Sequence, residues 1–500
     1  MKKDILANYV GQFWSALMNI AFVPVYIAQI GLESFGLIGV LATLQASFAL
    51  LDFGMTPLLG RETARYLSGT HTPFSIRTLL RSIEIIVVLL ALFVTLLIYG
   101  ASGWIANHWL GSTSFSPSSI AASLTLMGAI VGTRLIEVLY RSALMGLHRQ
   151  VSLNAGVVLI STLRGLGCAA VLLFISPTIY AYLVWQLLCS VFAVTLFSVM
   201  TYRSLSPSPQ RVIFKVSAVK DLWRFAAGMT GISITAILMT QTDKIILSKV
   251  LSMADFGIYT LAIMVAGLPQ MLASPVLQAL QPRLTAQYAA ADHSAFANSY
   301  HTGAQTVSTI LGSASFVLIF FCADILSVWF HSQNVNHGTA TLVSVLATGN
   351  LLGGLLMVPF LSQVAYGWTS LAFRWNVAAV IIQVLLLAYV TPRYGAIGAA
   401  WIWLALNAAS FIVVTTLMFR RIFALERWTW LVTDIARPLL AALCVSAVIK
   451  YFAPDLMGVY ARLVFLVGVS GTVLMAAAVA SPAILALMRH YQARLSFAVR

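Results

Sequence analysis

Three full charges, Arg134, Glu137 and Arg141, stand at i, i+3 and i+7 in the stretch TRLIEVLYRSALMGLHRQ, which runs from Thr133 to Gln150. On an α-helix that spacing brings all three within roughly 60° of one another on a single face. The chemistry such a face offers is recognition of an anion by two guanidinium groups, with a carboxylate between them. The same residues also suit a structural ion-pair cluster in which Glu137 neutralises its neighbours and Arg141 snorkels towards the cytoplasmic end. The surrounding stretch is apolar enough to span a membrane, and a charge at mid-bilayer costs about 2.5–3.5 kcal/mol on insertion scales. The face must therefore look into the protein or into a wet cavity.

The elements that have to position these charges are membrane spans. Of the 500 residues, 60% are hydrophobic and only 9% charged, whereas a soluble domain carries about 25% charged residues. The formal net charge of +15 would suggest nucleic acid in a soluble chain. Here the basic residues lie in short loops between apolar runs, so they report orientation in a membrane and no nucleic-acid partner is expected.

Apolar runs of about 20 residues recur 14 times between residues 7 and 488, which predicts an all-α integral membrane protein of about 14 transmembrane helices. Of the 29 Lys and Arg residues, 22 fall on the side of the N-terminus, four on the other side, and Arg134, Arg164 and Lys244 within spans. That asymmetry predicts both termini in the cytoplasm and an even number of spans. The N-terminus, Met1-Lys2-Lys3 followed by a segment with Asn8, Gln12 and Asn19, lacks a small-x-small cleavage site and reads as a retained first span. The four cysteines, Cys168, Cys189, Cys322 and Cys444, sit in apolar runs without motif spacing, as packing residues.

The helix-breaking run Ser204-Leu205-Ser206-Pro207-Ser208-Pro209 marks a seam. The expected organisation is an N-terminal lobe of six spans (1–202), a cytoplasmic linker with an interfacial helix (203–224), a C-terminal lobe of six spans (225–419), and two further helices with a cytoplasmic tail (420–500). The lobes echo each other. Glu33-Ser34-Phe35-Gly36-Leu37 opens the second span and Ala254-Asp255-Phe256-Gly257-Ile258 the eighth. Repeats of this kind are related by an axis along the membrane normal and place a substrate path between the halves.

Polar faces that could line such a path follow. Asn8, Gln12, Ser15 and Asn19 share a face of the first span, with Pro24 as a potential kink, and hydrogen-bond glue between helices is the alternative use of that stripe. Gln45, Asp52 and Thr56 share a face of the second span, where Asp52 could meet Arg61 or Arg141 in an ion pair that locks one conformation or simply neutralises charge. On the seventh span Gln241 and Lys244 lie on one face and Asp243 on another. Arg164 in the fifth span and Lys244 add positive charge to that of the fourth. Cations in both halves, with fewer acidic groups, would give a central cavity a positive field suited to phosphate or carboxylate. No enzyme constellation competes: the eight histidines fall in loops or span ends, and no HExxH, CxxC or Walker-type motif occurs, so no cofactor or metal is expected.

Several motifs together resemble a known family. Leu51-Asp52-Phe53-Gly54 followed by Arg61-Glu62, Tyr140-Arg141 leading through Gly146-Leu147-His148-Arg149-Gln150 to Asn154, and Thr242-Asp243-Lys244-Ile245-Ile246-Leu247 followed by Gly257-Ile258-Tyr259 resemble the Wzx-type polysaccharide-transport flippases, relatives of the MATE antiporters and the lipid II flippase in one superfamily. The resemblance implies two pseudo-symmetric six-helix lobes with a cavity that opens alternately to either leaflet, in a bacterial inner membrane. It implies as substrate an oligosaccharide repeat unit on undecaprenyl pyrophosphate, with membrane lipids and, as further partners, a polymerase and a chain-length regulator. On this reading Arg134, Arg164 and Lys244 hold the pyrophosphate, Asn8, Gln12, Asn19, Gln45 and Gln241 bind sugar hydroxyls, and Asp52, Glu137, Arg141, Asp243 and Arg61 form gating ion pairs. The alternatives are a MATE-like cation or drug antiporter, which would place acidic residues in its cavity, and a membrane glycan polymerase or ligase, which would carry a large periplasmic loop.

Overall fold

The computed structural model describes residues 2–49, 55–111, 114–208, 223–330, 337–422, 426–454 and 458–486. Asp52, residues 212–222 of the expected interfacial helix and the end of the basic tail lie outside the described residues. Among the described residues the chain is helical, with no strand. Among the described residues ten helices are long and apolar enough to cross a membrane, or eleven if Met253–Ala266 and Leu268–Ala289, a pair bent by 40° at one residue, count as one span. Gly395, at φ 57°, divides the 52-residue element Ser370–Arg421 into two helices. The helices Lys2–Ala21 and Trp223–Val250 stand where the first and seventh spans are expected; their polar stripes make them less apolar than the rest. Among the described residues, helical segments of a multi-pass membrane protein thus fall at each of the 14 expected positions, the second of them described on either side of residues 50–54.

The chain divides into two compact units, Met1–Gly257 and Ile258–Arg500. In the first, α1 (Lys2–Ala21) and α2 (Val23–Phe48) are separated at Phe22, with Pro24 in the first turn of α2, where a missing N–H costs nothing. Gly31 turns the chain again inside α2 at φ 77°, a left-handed conformation that favours glycine. The first span therefore comprises α1 and the start of α2, broken near the expected proline. Then follow α3 (Met55–Leu67), α4 (Pro73–His108) and α5 (Pro117–Gly146). Thr72 and Ser116 cap α4 and α5, each accepting a backbone N–H three residues on, and a proline begins each helix.

α4 and α5 approach closely because α5 presents Gly128 and Gly132 to α4. A Cβ on Gly132 would lie 2.8 Å from the Ala91 carbonyl oxygen, and Thr95 Oγ1 donates to the Gly128 carbonyl at 3.2 Å. Small residues four apart let backbones meet in a membrane, where lipid is as apolar as leucine and association depends on close packing. One end of this unit is an apolar core in which Leu58, Leu59, Ile83, Leu139, Leu144 and Phe197 are buried. At this end Glu84 accepts hydrogen bonds from Tyr140 (2.7 Å) and Tyr202 (2.6 Å).

The fifth span is α6 (Gln150–Thr162), a π-helical turn over Leu163–Gly167 and α7 (Cys168–Phe174); α8 (Ile179–Ser204) follows, capped by Thr178. The echoed glycines, Gly36 and Gly257, belong to segments in tight contact: a Cβ on Gly257 would lie 3.1 Å from the Gly36 nitrogen.

The second unit is built around the helix His293–Phe320, capped by Asp292, whose carboxylate accepts the Ala295 N–H at 2.9 Å. Asp292 is fully solvated, and that hydrogen bond holds its carboxyl below the ordinary carboxylate range. Helix His293–Phe320 packs against Leu268–Ala289, His337–Leu355, Arg437–Tyr451 and Val459–Ala480. A second π-helical turn, Trp430–Ala436, carries the buried Asp434. Asp434 accepts from Gln305 Nε2 at 2.9 Å and pairs with His301 Nδ1 at 2.5 Å, while Gln305 Oε1 accepts the Ala483 N–H at 2.8 Å. This polar knot ties the last two spans to the unit. His301, expected in a loop or at a span end, stands inside the helix, because Asp292 starts that helix two turns earlier. The four cysteines are free; three are buried and Cys444 is exposed.

Candidate functional site

Arg134, Glu137 and Arg141 meet Arg164 around one cavity of about 110 Å³ in the first unit. α5 supplies the first three, at the spacing that puts them on one face. Ser15 and Asn19 of α1 and Ser161 of α6 complete the polar wall, and Val157 and Ile160 the apolar part.

Arg164 reaches the chamber from the π-helical turn. A π turn frees backbone carbonyls from the α ladder, and such turns often mark functional positions. Here three consecutive carbonyls, those of Leu163, Arg164 and Gly165, take hydrogen bonds from Trp185 Nε1 (2.8 Å), Gln186 Nε2 (3.2 Å) and Tyr26 OH (2.9 Å). Side chains of α8 and α2 therefore hold the turn, and through it the base of the Arg164 side chain.

α1 is fastened to α6 by a polar ladder. Asn154 Nδ2 donates to Asn8 Oδ1 at 2.5 Å, Asn8 Nδ2 donates to Gln150 Oε1 at 3.1 Å, and Trp14 Nε1 donates to Thr162 Oγ1 at 2.8 Å. Asn8 is thus engaged between helices, while Asn19, on the same stripe three turns later, lines the chamber. Gln12 is exposed.

Glu137 is buried and uses both carboxylate oxygens. Oε2 accepts from Arg164 Nη2 at 2.6 Å, and Oε1 lies 3.5 Å from Arg141 Nη1. Arg164 Nη2 also donates to Ser190 Oγ at 3.2 Å. The Nε atoms of Arg134 and Arg164 are buried without a hydrogen-bond partner. The wall holds three guanidiniums and one carboxylate, so two positive charges remain uncompensated among its lining residues. In a low-dielectric setting, unsatisfied N–H groups beside surplus positive charge favour an anion with several acceptor oxygens.

Lys244 is not among the chamber's lining residues. Its Nζ lies 3.2 Å from Asp243 Oδ1 and 2.5 Å from the Thr240 carbonyl oxygen. Asp243 and Lys244 were expected on different faces of the seventh span; the four-carbon stem of lysine lets the ammonium fold back to its neighbour. Gln241 bonds Thr240 Oγ1 at 3.4 Å, Gln45 has a buried Nε2 without a partner, and Arg61 lies 3.8 Å from Glu62 with half of its side chain exposed. Glu62 itself is buried and also pairs with Arg65 at 3.2 Å and His71 at 2.8 Å. Sequence reasoning missed Gln186 and Ser190. Their signal was a polar pair at i, i+4 in an otherwise apolar span, which puts both on the α8 face turned to Arg164.

Comparison with known proteins agrees with this architecture. The family model described as "Polysaccharide biosynthesis protein" matches residues 1–288. A putative O-antigen transporter of Shigella flexneri is 21% identical over 401 residues, which is 80% of this chain and 93% of that protein. A succinoglycan biosynthesis transport protein of Rhizobium meliloti is 24% identical over 270 residues, 54% of this chain and 53% of that protein. Among solved structures, the lipid II flippase MurJ in an inward closed conformation aligns with a TM-score of 0.69 at 13% identity, covering 96% of this chain and 98% of that one. An inward-facing MATE family transporter of the MOP superfamily aligns with a TM-score of 0.66 at 15% identity, covering 83% and 96%. The resemblance carried by the motifs therefore holds, and the chain, on the fold shared by these transporters, belongs to the polysaccharide biosynthesis protein family.

Proposed function

We propose that this protein is a flippase that moves an oligosaccharide repeat unit, linked to undecaprenyl pyrophosphate, from the cytoplasmic to the periplasmic leaflet of a bacterial inner membrane. The observation that carries this reading is the chamber where Arg134 and Arg164 present buried, unpartnered Nε atoms beside two surplus positive charges. The pyrophosphate is held by Arg134 and Arg164. Ser15 and Asn19 hydrogen-bond the proximal sugar, and the polyprenyl chain stays in the bilayer. Alternating access between lobes 1–202 and 225–419 carries the headgroup across, with both termini in the cytoplasm. The relatives support the class of cargo: one is named as an O-antigen transporter, one as a succinoglycan transport protein, and the fold is that of a lipid II flippase. A polymerase and a chain-length regulator are the partners this role requires downstream.

A cation or drug antiporter on the same fold would need acidic groups to hold its substrate. The chamber has one carboxylate, and both of its oxygens already face arginine. The test is complementation of a deletion strain. Arg134→Ala, shown by fractionation to reach the membrane, is expected to leave the cells without surface polysaccharide; full restoration would refute the assignment.

A further inference from the structure

We propose that Glu137 is an exchangeable counter-ion: in the empty chamber it occupies the anion position on Arg164, and the pyrophosphate must displace it to bind. This rests on the reading of the chamber as a pyrophosphate site and adds how binding is kept reversible and how the headgroup is selected.

The geometry carries the argument in three steps. First, the Glu137 carboxylate accepts from Arg164 Nη2 at 2.6 Å and faces Arg141 at 3.5 Å, the contacts a phosphate oxygen would make. Second, Arg134 shares the face but has no ion pair with Glu137, and its Nε has no hydrogen-bond partner, so one guanidinium is ready while another is occupied. Third, the wall's surplus of two positive charges equals the charge of a pyrophosphate esterified at both ends, which carries two ionised oxygens. A phosphodiester carries one, so an ordinary phospholipid headgroup leaves one of the wall's two surplus charges unmatched and is disfavoured.

A transporter must also release what it binds. Three arginines with no internal competitor would hold a dianion too long, because the cost of separating charges in a low-dielectric chamber falls on the dissociation rate. Glu137 shortens that step by returning to Arg164 as the headgroup leaves. Its burial keeps the carboxylate close to its two partners, so its effective concentration there stays high. Arg141, with 40% of its side chain exposed, is solvated enough to lose the contact at little cost.

The experiment measures binding of two short-chain lipids, a prenyl-pyrophosphoryl-N-acetylglucosamine and its prenyl-phosphoryl counterpart, to the full-length protein in nanodiscs. Transport is followed separately in liposomes. Glu137→Gln is expected to tighten pyrophosphate binding about tenfold or more, to narrow the preference over the monophosphate, and to slow transport. Adding Arg164→Gln is expected to abolish the gain, since Glu137 acts through Arg164. Unchanged or weaker binding by Glu137→Gln, in a protein whose binding is lost with Arg134→Gln, overturns the counter-ion role and leaves the site standing. No saturable binding by the wild type, or undiminished binding by Arg134→Gln, overturns the site itself. Should Glu137→Gln not assemble, Glu137→Asp keeps the charge but retracts it from Arg164 by one methylene. It must then bind the pyrophosphate lipid more tightly than wild type, and equal affinity overturns the proposal.

Discussion

Glu137 and Arg164, 27 residues apart in sequence and carried by different spans, meet through Oε2 and Nη2 at 2.6 Å. The contact joins a charge placed by ordinary helical spacing to one placed by a π-helical turn. Everything that holds that turn therefore bears on the chamber.

Trp185 is the clearest example. Its indole N–H donates to the Leu163 carbonyl at 2.8 Å, one of the groups the π turn releases. Trp185→Phe keeps an aromatic ring but removes the donor, leaving that carbonyl unsatisfied at a cost of about 1–3 kcal/mol. Transport is expected to fall while membrane insertion is retained; a transport rate equal to wild type would show that the turn does not depend on this bond.

The contact between α4 and α5 sets the position of the charged face. Because a Cβ on Gly132 would sit 2.8 Å from a backbone oxygen, Gly132→Ala must push the helices apart. The expected loss is about 1–3 kcal/mol, the usual cost of overpacking, read as a lower unfolding temperature of the purified protein in detergent. An unchanged temperature would contradict the close approach.

In the second unit, Asp434 holds His301 and Gln305, and Gln305 in turn holds the Ala483 N–H. Asp434→Ala strands the buried Gln305 and the partly buried His301 and is expected to cost about 3 kcal/mol or more. The loss should show as lower thermal stability together with protease cleavage near residue 483, whereas Asp434→Asn retains an acceptor and is milder. Equal stability of Asp434→Ala and wild type would remove the knot from the account.

Lys244 and Arg134 both place a cation within a span, but Lys244 is engaged by Asp243 and the Thr240 carbonyl. Lys244→Gln is accordingly expected to retain substantially more surface polysaccharide than Arg134→Gln at equal expression. The reverse ranking would move the anion site to the seventh span.

Composition and periodicity carried the helical membrane architecture, because spans of about 20 apolar residues have few alternative structures in lipid. The face of Arg134, Glu137 and Arg141 was equally readable, since it needs only the α-helical period. Arg164 could be named as an intramembrane cation on roughly the same side of its span as Ser161, with which it lines the chamber, but the turn that carries it could not be read. A π turn shifts every later side chain by about one residue, and no pattern in Leu163–Gly167 announces it. For Asn8 the stripe on α1 left two uses open, and the structure engages it with Gln150 and Asn154 while Asn19 reaches the chamber. The Asp434 knot was missed because its members come from three distant segments, and long-range pairing of polar groups leaves no periodic trace.

The most direct test reconstitutes the purified protein in liposomes and follows a fluorescent lipid-linked saccharide with a pyrophosphate bridge from one leaflet to the other. Wild-type protein is expected to move the lipid, and Arg134→Gln and Arg164→Gln, each folded and inserted, are expected to reduce the rate to that of protein-free vesicles. Transport by either variant at the wild-type rate would contradict the account.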